Sequence, residues 1–307
     1  MANRSITRRK LIQVASGAGV SLGLGWHPLA ARSGAIISRP IPSSGETVPA
    51  IGIGTNGYKV GTPEQNDRLG DTLAAFAEMG GQVVDTAPVY RSSETILGQL
   101  MVEFGNRDQL FIATKIEKKT RTGGLERMEG SLAKLQTSVL DLVQSHQMNG
   151  AENTLPVMRE WQEAGRVRYI GITTSDTNTF PRMLELMNKE PMDFIQVNYS
   201  LSNREAADEV LPLAEDKGIA VLVNIPFARG QLFKTVVDRP LPNWAAEFDC
   251  ESWAQFFLKY VISHPAVTCA IPGATKARHA IDNVGAAYGR LPDPQLRKRQ
   301  EKFFDTL

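Results

Sequence analysis

Residues 82–115 read QVVDTAPVYRSSETILGQLMVEFGNRDQLFIATK and show the pattern that repeats along the chain. It contains an apolar run at 82–87, a segment with helical spacing at 93–104 that Gly105 ends, and a second apolar run at 110–115. Short runs that are apolar throughout are typical of strands buried on both faces, as in parallel sheets. The stretch therefore predicts one strand–helix–strand unit.

The same unit recurs along the rest of the chain. Six further apolar runs are predicted to be strands, and they lie at residues 50–54, 140–146, 169–173, 194–199, 219–224 and 268–272. Helical patterns alternate with these runs: one begins at Thr62, and others lie at 125–135, 155–164, 180–188, 204–217, 252–263, 277–284 and 298–304. Strand–helix alternation repeated eight times predicts an α/β fold, a (β/α)8 TIM barrel in a single domain, which we assign to residues 35–307.

Three local features refine this prediction. A hairpin is expected at residues 36–51, before or into the first strand, and Pro212 is expected to kink or divide the 204–217 helix. The longest connection without a predicted element runs from about residue 225 to 250, and a loop of that length usually has a functional role.

A doubly wound sheet is the competing fold. Gly52, Gly54 and Gly57 satisfy the GxGxxG pattern of a dinucleotide-binding loop. That pattern requires a helix directly after the glycines, but residues 58–61 intervene before the helix that begins at Thr62. We therefore interpret the glycines as the end of a strand and a turn near the pocket.

Residues 1–34 form a separate segment with the features of an export signal. Its charged residues are all basic: Arg4, Arg8, Arg9, Lys10 and Arg32. A short, glycine-diluted apolar stretch at 11–24 and small residues around Ala30 follow, which is typical of a cleavable signal and too short for a stable membrane span. The Arg8-Arg9 pair resembles a twin-arginine signal and predicts a periplasmic or exported protein. The alternative is a disordered or amphipathic tail on a cytoplasmic protein.

Composition excludes several functional classes. The 307 residues carry 34 basic and 33 acidic side chains, so no basic excess favours nucleic-acid binding. The four histidines form neither an HxH nor an HExxH pattern, which disfavours a metal-dependent hydrolase, and we predict no metal site. The two cysteines, Cys250 and Cys269, form no CxxC pair and are expected to be free, buried thiols.

Polar residues follow three successive predicted strands at the point where each strand ends. Asp85 and Tyr90 follow the second strand, Lys115 ends the third and His146 ends the fourth. Each residue alone has a structural explanation, such as a turn cap or a core histidine. The carboxyl ends of barrel strands meet at one face, however, and that face holds the active site. We therefore expect the four side chains to converge.

This set of groups is suited to protonating a carbonyl oxygen. A lysine ammonium near a phenol lowers the pKa of the phenol, so Lys115 would assist proton loss from Tyr90 while Asp85 holds Lys115. His146 would donate a hydrogen bond to the substrate oxygen. The set contains no activated nucleophile, so carbonyl reduction needs a hydride from elsewhere, and a reduced nicotinamide cofactor is the expected source.

These residues carry a family resemblance. Residues 85–90, DTAPVY, with Ser93-Glu94 and Leu97-Gly98 after them, are similar to the signature of the aldo-keto reductase family. Lys115 in IATK and His146 in LDLVQSH match the other two positions of the Asp-Tyr-Lys-His tetrad of that family. The resemblance runs from about Pro49 to the C-terminus.

The resemblance also implies a cofactor site. The nicotinamide carboxamide is held in the family by positions that match Thr173, Thr174 and Gln196. The loop around the pyrophosphate matches residues 225–232. The segment that receives the adenosine 2′-phosphate matches residues 271–278, and an adenine contact matches Asn283. The complete predicted set is Thr55, Thr173, Thr174, Gln196, Asn224, Pro226, Phe227, Arg229, Gly230, Ile271, Gly273, Thr275, Lys276, Arg278 and Asn283. Lys276 or Arg278 near a 2′-phosphate favours NADPH, with NADH as the alternative; the competing interpretation is that both are solvated charges at a helix start.

Two departures from the family pattern bear on this site. Many relatives have an aromatic residue where this chain has Asn224, and many have Lys and Arg where it has Gly273 and His279.

The resemblance implies an NADPH-dependent reductase that converts a small aldehyde or ketone to an alcohol, with Tyr90 as proton donor. The alternative is a nicotinamide-nucleotide-binding sensor or partner protein with little turnover.

Overall fold

The structure is a computed structural model that describes residues 34–59 and 61–307. The predicted export signal, residues 1–34, lies outside the described residues except for Gly34. A short antiparallel hairpin of β1 and β2 comes first, at the place where the sequence predicts one. Its strands are Ser38–Pro40 and Thr47–Pro49.

Eight parallel strands follow the hairpin, each paired with the next along the chain. Their bounds are β3 Ile53–Gly54, β4 Val83–Asp85, β5 Phe111–Ile116, β6 Leu140–His146, β7 Val167–Thr173, β8 Phe194–Asn198, β9 Ala220–Asn224 and β10 Cys269–Ala270. Parallel bridges join Ile51 to Ala270 and Gly54 to Gly273, and so connect the first strand to the last. The predicted (β/α)8 barrel is confirmed.

The helices alternate with these strands. Their bounds are α1 Pro63–Glu78, α2 Ser93–Phe104, α3 Arg121–Leu135, α4 Ala151–Glu163, α5 Phe180–Lys189, α6 Val210–Asp216, α7 Gln231–Thr235, α8 Trp253–Ile262, α9 Ala277–Gly285 and α10 Pro294–Phe304. Thr62 and Gln65 form a capping box at the start of α1. Among the described residues, none of the helices is both long enough and apolar enough to cross a bilayer.

The structure differs from the sequence prediction at residues 204–217. A 3-10 turn at Glu205–Ala207 precedes α6, and the break between them falls before Pro212. Pro212 thus lies in the first turn of α6, where a residue without a backbone N–H leaves no helical hydrogen bond unmade. The long connection after β9 also contains α7 and a 3-10 segment, Asn243–Phe248, which the sequence did not predict.

The barrel interior is apolar at one end and polar at the other. Its apolar side chains come mainly from the first half of each strand, and Ile41 and Val48 of the hairpin join them and close that end. Inward-facing positions further along the strands carry polar groups: Asp85, Lys115, Thr173 and Gln196 are all buried. Because the packed apolar end cannot admit a ligand, the carboxyl ends of the strands form the accessible end of the barrel.

Candidate active site

A cavity of about 710 Å³ opens at the carboxyl ends of the strands. Fourteen of the residues predicted to form the catalytic and cofactor sites line it: Thr55, Asp85, Tyr90, His146, Thr173, Gln196, Asn224, Pro226, Phe227, Arg229, Gly230, Ile271, Gly273 and Thr275. Gly54 and Gly57 also line the cavity, which agrees with a turn near the pocket. A side chain at position 57 would displace the Thr275 methyl group, which lies 2.8 Å from where a Cβ atom would be.

Lys115 and Asp85 form a buried ion pair at the base of the cavity. The Lys115 Nζ atom lies 2.7 Å and 2.8 Å from the two Asp85 carboxylate oxygens and donates a further bond of 2.7 Å to the Thr86 carbonyl. Burial alone lowers the pKa of Lys115, but the charge of Asp85 and the contact with Tyr90 raise it above its ordinary value. The ammonium therefore stays charged beneath the cavity.

A chain of hydrogen bonds extends from this pair across the barrel. The Gln196 Nε2 atom donates to the Asp85 Oδ1 atom at 2.7 Å, and the Thr173 hydroxyl donates to the Gln196 Oε1 atom at 2.8 Å. Asp85 is thus held from β5 by Lys115 and from β8 by Gln196. Gln196 and Thr173 orient the tetrad carboxylate in addition to lining the cavity, and no sequence pattern indicates this second role.

Tyr90 lies in the turn after β4, above the ion pair. Its ring centroid is 5.2 Å from the Lys115 Nζ atom, and its ring meets the His146 imidazole edge-on at 6.2 Å between centroids. The Lys115 charge lowers the pKa of the Tyr90 phenol, but burial and the Asp85 charge outweigh it, so the pKa lies above its ordinary value. Lys115 thus lowers the pKa of Tyr90 as expected, but the net shift of that pKa is upward.

His146 ends β6 and presents its side chain to the cavity. Burial and the nearby Lys115 charge lower the pKa of His146 to about 4. The imidazole is therefore neutral at physiological pH and carries one N–H. Its ring nitrogens make no hydrogen bond to another side chain or backbone group of the described residues, so this donor is available to a molecule in the cavity.

Polar side chains of the signature segment hold the active-site turn. The Ser93 hydroxyl bonds those of Thr55 and Thr86 at 2.7 Å and 2.9 Å. The buried Glu94 carboxylate accepts hydrogen bonds from Thr114, the residue before Lys115, and from Ser131 on α3. Ser93 and Glu94 therefore position β5 and the turn after β4. Glu94 is not part of the cavity lining.

The loop after β9 lines one wall of the cavity with a strained backbone. Ile225, Ala228 and Arg229 have left-handed φ angles of 50°, 48° and 55°. Non-glycine residues, and β-branched ones above all, adopt this conformation only where the surrounding structure imposes it, and such residues concentrate at ligand sites. The Arg229 guanidinium makes no ion pair or hydrogen bond within residues 34–59 and 61–307, and it is therefore available to an anion in the cavity.

Further basic residues lie on and beside the cavity wall, at the start of α9. Thr275 and His279 line the cavity, while Lys276 and Arg278 lie beside it on the same turn. Asn283 is buried on α9 and lies outside the lining. Arg278 and Lys276 are thus close to the cavity without forming its wall.

Several residues differ from their expected positions. Thr174 is buried behind the wall, where its hydroxyl bonds Thr179 and Gln147 and its carbonyl accepts a 2.9 Å bond from Asn224. Sequence reasoning missed other lining residues: Asn56, Gln147, Ser175, Phe233, Ala274 and His279 as a wall residue. Gln147 and Ser175 each directly follow the end of a predicted site segment, and this adjacency was the available signal.

Residues 34–59 and 61–307 contain no group of three or more His, Cys, Asp or Glu side chains that could hold a metal ion. Cys250 and Cys269 are free and buried, as expected.

Comparison with known proteins identifies the family. The sequence model of the aldo/keto reductase family matches residues 50–302. The aldo-keto reductase YhdN of Bacillus subtilis is 32% identical over 210 residues, which span 62% of this chain and 62% of that protein. Methylglyoxal reductase YeaE of Escherichia coli is 28% identical over 257 residues, covering 81% of this chain and 89% of that protein.

A solved structure agrees with this match. The aldo/keto reductase from Klebsiella pneumoniae, in complex with NADP and acetate, is 25% identical and superimposes with a TM-score of 0.72 over 85% of this chain and 93% of that one. The family match extends from the residues before β3 into α10 and includes all four tetrad positions. The chain therefore belongs to the aldo/keto reductase family and is an NAD(P)H-dependent oxidoreductase.

Proposed function

We propose that this protein reduces a small aldehyde or ketone with NADPH and that Tyr90 protonates the carbonyl oxygen. One observation carries the proposal: the Tyr90 ring stands over the Lys115 ammonium at 5.2 Å and against the His146 imidazole at 6.2 Å, at the base of a cavity. A phenol, an ammonium and a neutral imidazole around one point are the groups that stabilise charge developing on a carbonyl oxygen.

Tyr90 is suited to be the acid because it holds its proton until it is needed. Its pKa lies above the ordinary value, so the phenol is protonated at neutral pH. As the carbonyl oxygen becomes more basic and takes the proton, the phenolate that remains is stabilised by the Lys115 ammonium below it. Asp85 keeps Lys115 in place and charged.

His146 contributes a neutral hydrogen-bond donor. With its pKa near 4, the imidazole donates one N–H to the carbonyl oxygen and leaves proton transfer to Tyr90. A protonated His146 beside Lys115 would place two positive charges together in a partly buried site, and this repulsion is one cause of the lowered pKa. We infer that His146 orients the carbonyl.

The remaining cavity lining fits an extended dinucleotide. NADPH, when bound, supplies the hydride that adds to the carbonyl carbon. Arg229 and the left-handed loop around it offer a cation and backbone N–H groups for a pyrophosphate. Lys276 and Arg278 supply positive charge beside His279, where a further phosphate would lie. The NADP that accompanies the Klebsiella pneumoniae relative supports this choice of cofactor.

The substrate class is inferred from the polar and apolar parts of the cavity lining and from the relatives. Gln147 and Ser175 form a polar pair there, joined by a 2.9 Å hydrogen bond, and Phe227 and Phe233 supply apolar surface. The Escherichia coli relative is named a methylglyoxal reductase. We propose a small carbonyl compound with a polar neighbour to the carbonyl group, and methylglyoxal is the first compound to test.

Rapid mixing tests the proposal. The protein is loaded with NADPH and mixed with methylglyoxal, an aliphatic aldehyde, an aromatic aldehyde and a simple ketone, while the NADPH absorbance is followed. We expect oxidation of NADPH within a single turnover by at least one of these compounds. A protein that binds NADPH but oxidises it with none of them contradicts the reductase proposal.

That outcome would support the second candidate, a nucleotide-binding sensor with little turnover. The observation in its favour is Asn224, which stands where many relatives have an aromatic residue. Its Nδ2 atom donates to the Thr174 carbonyl, and its Oδ1 atom is buried without a hydrogen-bond partner in the described structure. An amide at this position offers no ring for a nicotinamide to stack on.

We also propose that the protein is exported in folded form with its cofactor bound. The proposal rests on the Arg8-Arg9 pair ahead of the apolar stretch at 11–24, because the twin-arginine route carries folded proteins. Fractionated cells are expected to contain the protein, with NADP(H), in the periplasm, and a variant with Arg8→Lys and Arg9→Lys is expected to remain in the cytoplasm. Wild-type protein found only in the cytoplasm contradicts export.

A further inference from the structure

His279 lies among charged groups at the start of α9. Burial is the largest cause of the lowered pKa of His279; the charges of its neighbours Arg278 and Lys276 lower it further, while the charge of Asp282 raises it. Asp282 is engaged elsewhere: its carboxylate accepts hydrogen bonds from Ser252 and Gln255 at the start of α8. The first turn of α9 contains no acidic residue. Positive charge therefore dominates around the imidazole.

The contact between Arg278 and His279 is that of a neutral imidazole. The Arg278 Nε atom donates to the His279 Nε2 atom at 3.3 Å. A ring nitrogen that accepts a hydrogen bond carries no proton, so His279 is neutral in this arrangement, with its N–H on the other nitrogen. Protonation of Nε2 breaks this bond and adds a third positive charge to the cluster, which is unfavourable until an anion is present.

An anion in the cavity would reverse this balance. His279 and Thr275 line the same cavity as Tyr90, beside Lys276 and Arg278. A doubly charged phosphate there would draw the Arg278 guanidinium to itself and would favour a protonated imidazole, since an opposite charge within a few ångströms stabilises the charged form. Arginine, by contrast, is charged at all relevant pH values.

We propose that His279 couples the preference for NADPH over NADH to pH, because its imidazole takes up a proton when the 2′-phosphate of the cofactor binds beside Lys276 and Arg278. The inference rests on the proposed use of NADPH and adds a cofactor-selecting role for His279. NADH has no phosphate at this position, so its affinity is independent of the His279 proton.

The sign of the effect follows from linkage. If the complex holds more protons than the free protein, the affinity for NADPH rises as pH falls, by at most about tenfold per pH unit for one proton. As pH falls, the NADPH affinity begins to rise at the pKa of His279 in the complex. It stops rising at the lower pKa of His279 in the free protein. A phosphate monoester loses its second charge below a pKa of about 6, so the comparison belongs above that pH.

The test measures binding, not turnover. Dissociation constants of NADPH and NADH are obtained from the quenching of tryptophan fluorescence between about pH 6 and pH 9, the range set by the phosphate and imidazole pKa values. For the wild-type protein we expect the ratio of the NADH constant to the NADPH constant to grow severalfold as pH falls, with a flat NADH profile. Calorimetry in two buffers of different ionisation enthalpy is expected to show proton uptake on binding of NADPH alone.

Two variants distinguish proton uptake by the His279 imidazole from proton uptake by the phosphate. His279→Gln keeps a polar side chain that does not titrate, and we expect it to bind NADPH more weakly and without proton uptake above pH 6. His279→Arg is expected to bind NADPH tightly with a flat pH profile. Proton uptake that persists in His279→Gln overturns the inference. If neither nucleotide binds the wild-type protein, the proposed cofactor itself is wrong, whereas tight but pH-independent NADPH binding contradicts only the role of His279.

Discussion

Tyr90→Phe is expected to lower the turnover of carbonyl reduction by about 10²–10⁴-fold, the usual contribution of a positioned acid. The variant keeps the ring that packs against His146 and over Lys115, and it removes only the hydroxyl that carries the transferred proton. Because no cofactor contact is assigned to that hydroxyl, the dissociation constant of NADPH is expected to stay close to the wild-type value. Steady-state turnover and fluorescence titration measure the two quantities.

Tyr58→Phe is the matched control for this prediction. Tyr58 is also a buried tyrosine, and its hydroxyl has no hydrogen-bond partner within the described structure. Removal of an unpartnered buried hydroxyl costs no hydrogen bond, so this variant is expected to fold and to turn over like the wild-type protein. A Tyr90→Phe variant that is as active as Tyr58→Phe would refute Tyr90 as the proton donor.

The second large effect is expected for Lys115→Met. The Asp85 residue is 3% exposed, and loss of the ammonium leaves its carboxylate buried with only Gln196 as a side-chain hydrogen-bond donor among the described residues. Removal of one partner of a buried ion pair typically costs about 3–5 kcal/mol, which is a large share of the stability of a domain. We expect the free energy of unfolding in urea to fall by that order and turnover to be lost.

A double variant distinguishes a folding defect from a catalytic one. Asp85→Asn combined with Lys115→Met removes both charges, so no unpaired buried charge remains, and most of the lost unfolding free energy is expected to return. Turnover is expected to stay low, because the ammonium that stabilises the Tyr90 phenolate is still absent. A double variant with wild-type turnover would contradict the role assigned to Lys115, and one that is no more stable than Lys115→Met would contradict the importance of the ion pair for folding.

Sequence patterns predicted the regular elements best where the signal was local. The bounds of β6 and α2 agree with the prediction, and Gly105 ends α2 with a left-handed φ of 61°. The 204–217 segment was predicted less well: its helical spacing continues through residues at which the structure breaks. Periodicity reports which face is apolar and does not report whether the backbone between two turns is continuous.

Site residues at strand ends were easier to predict than site residues on the connections between strands. Asp85, Lys115 and His146 could be located because a polar residue at the end of an apolar strand is conspicuous and the barrel brings strand ends together. Phe233 and Gln147 lie on connections between strands, and Thr174 is turned behind the wall. The direction of a side chain in such a connection depends on contacts with other segments, so spacing along the chain does not predict it.

Residue types within short segments were enough to predict the strands, the helices and the polar groups that follow the strands. The order of these elements along the chain then favours the barrel. Two properties became visible only in the folded chain: Gln196 holds Asp85 across 111 positions of sequence, and the pKa of Tyr90 rises despite Lys115. These properties arise from distances of a few ångströms between charges and dipoles in a partly buried site, and electrostatic interaction energies there depend steeply on position.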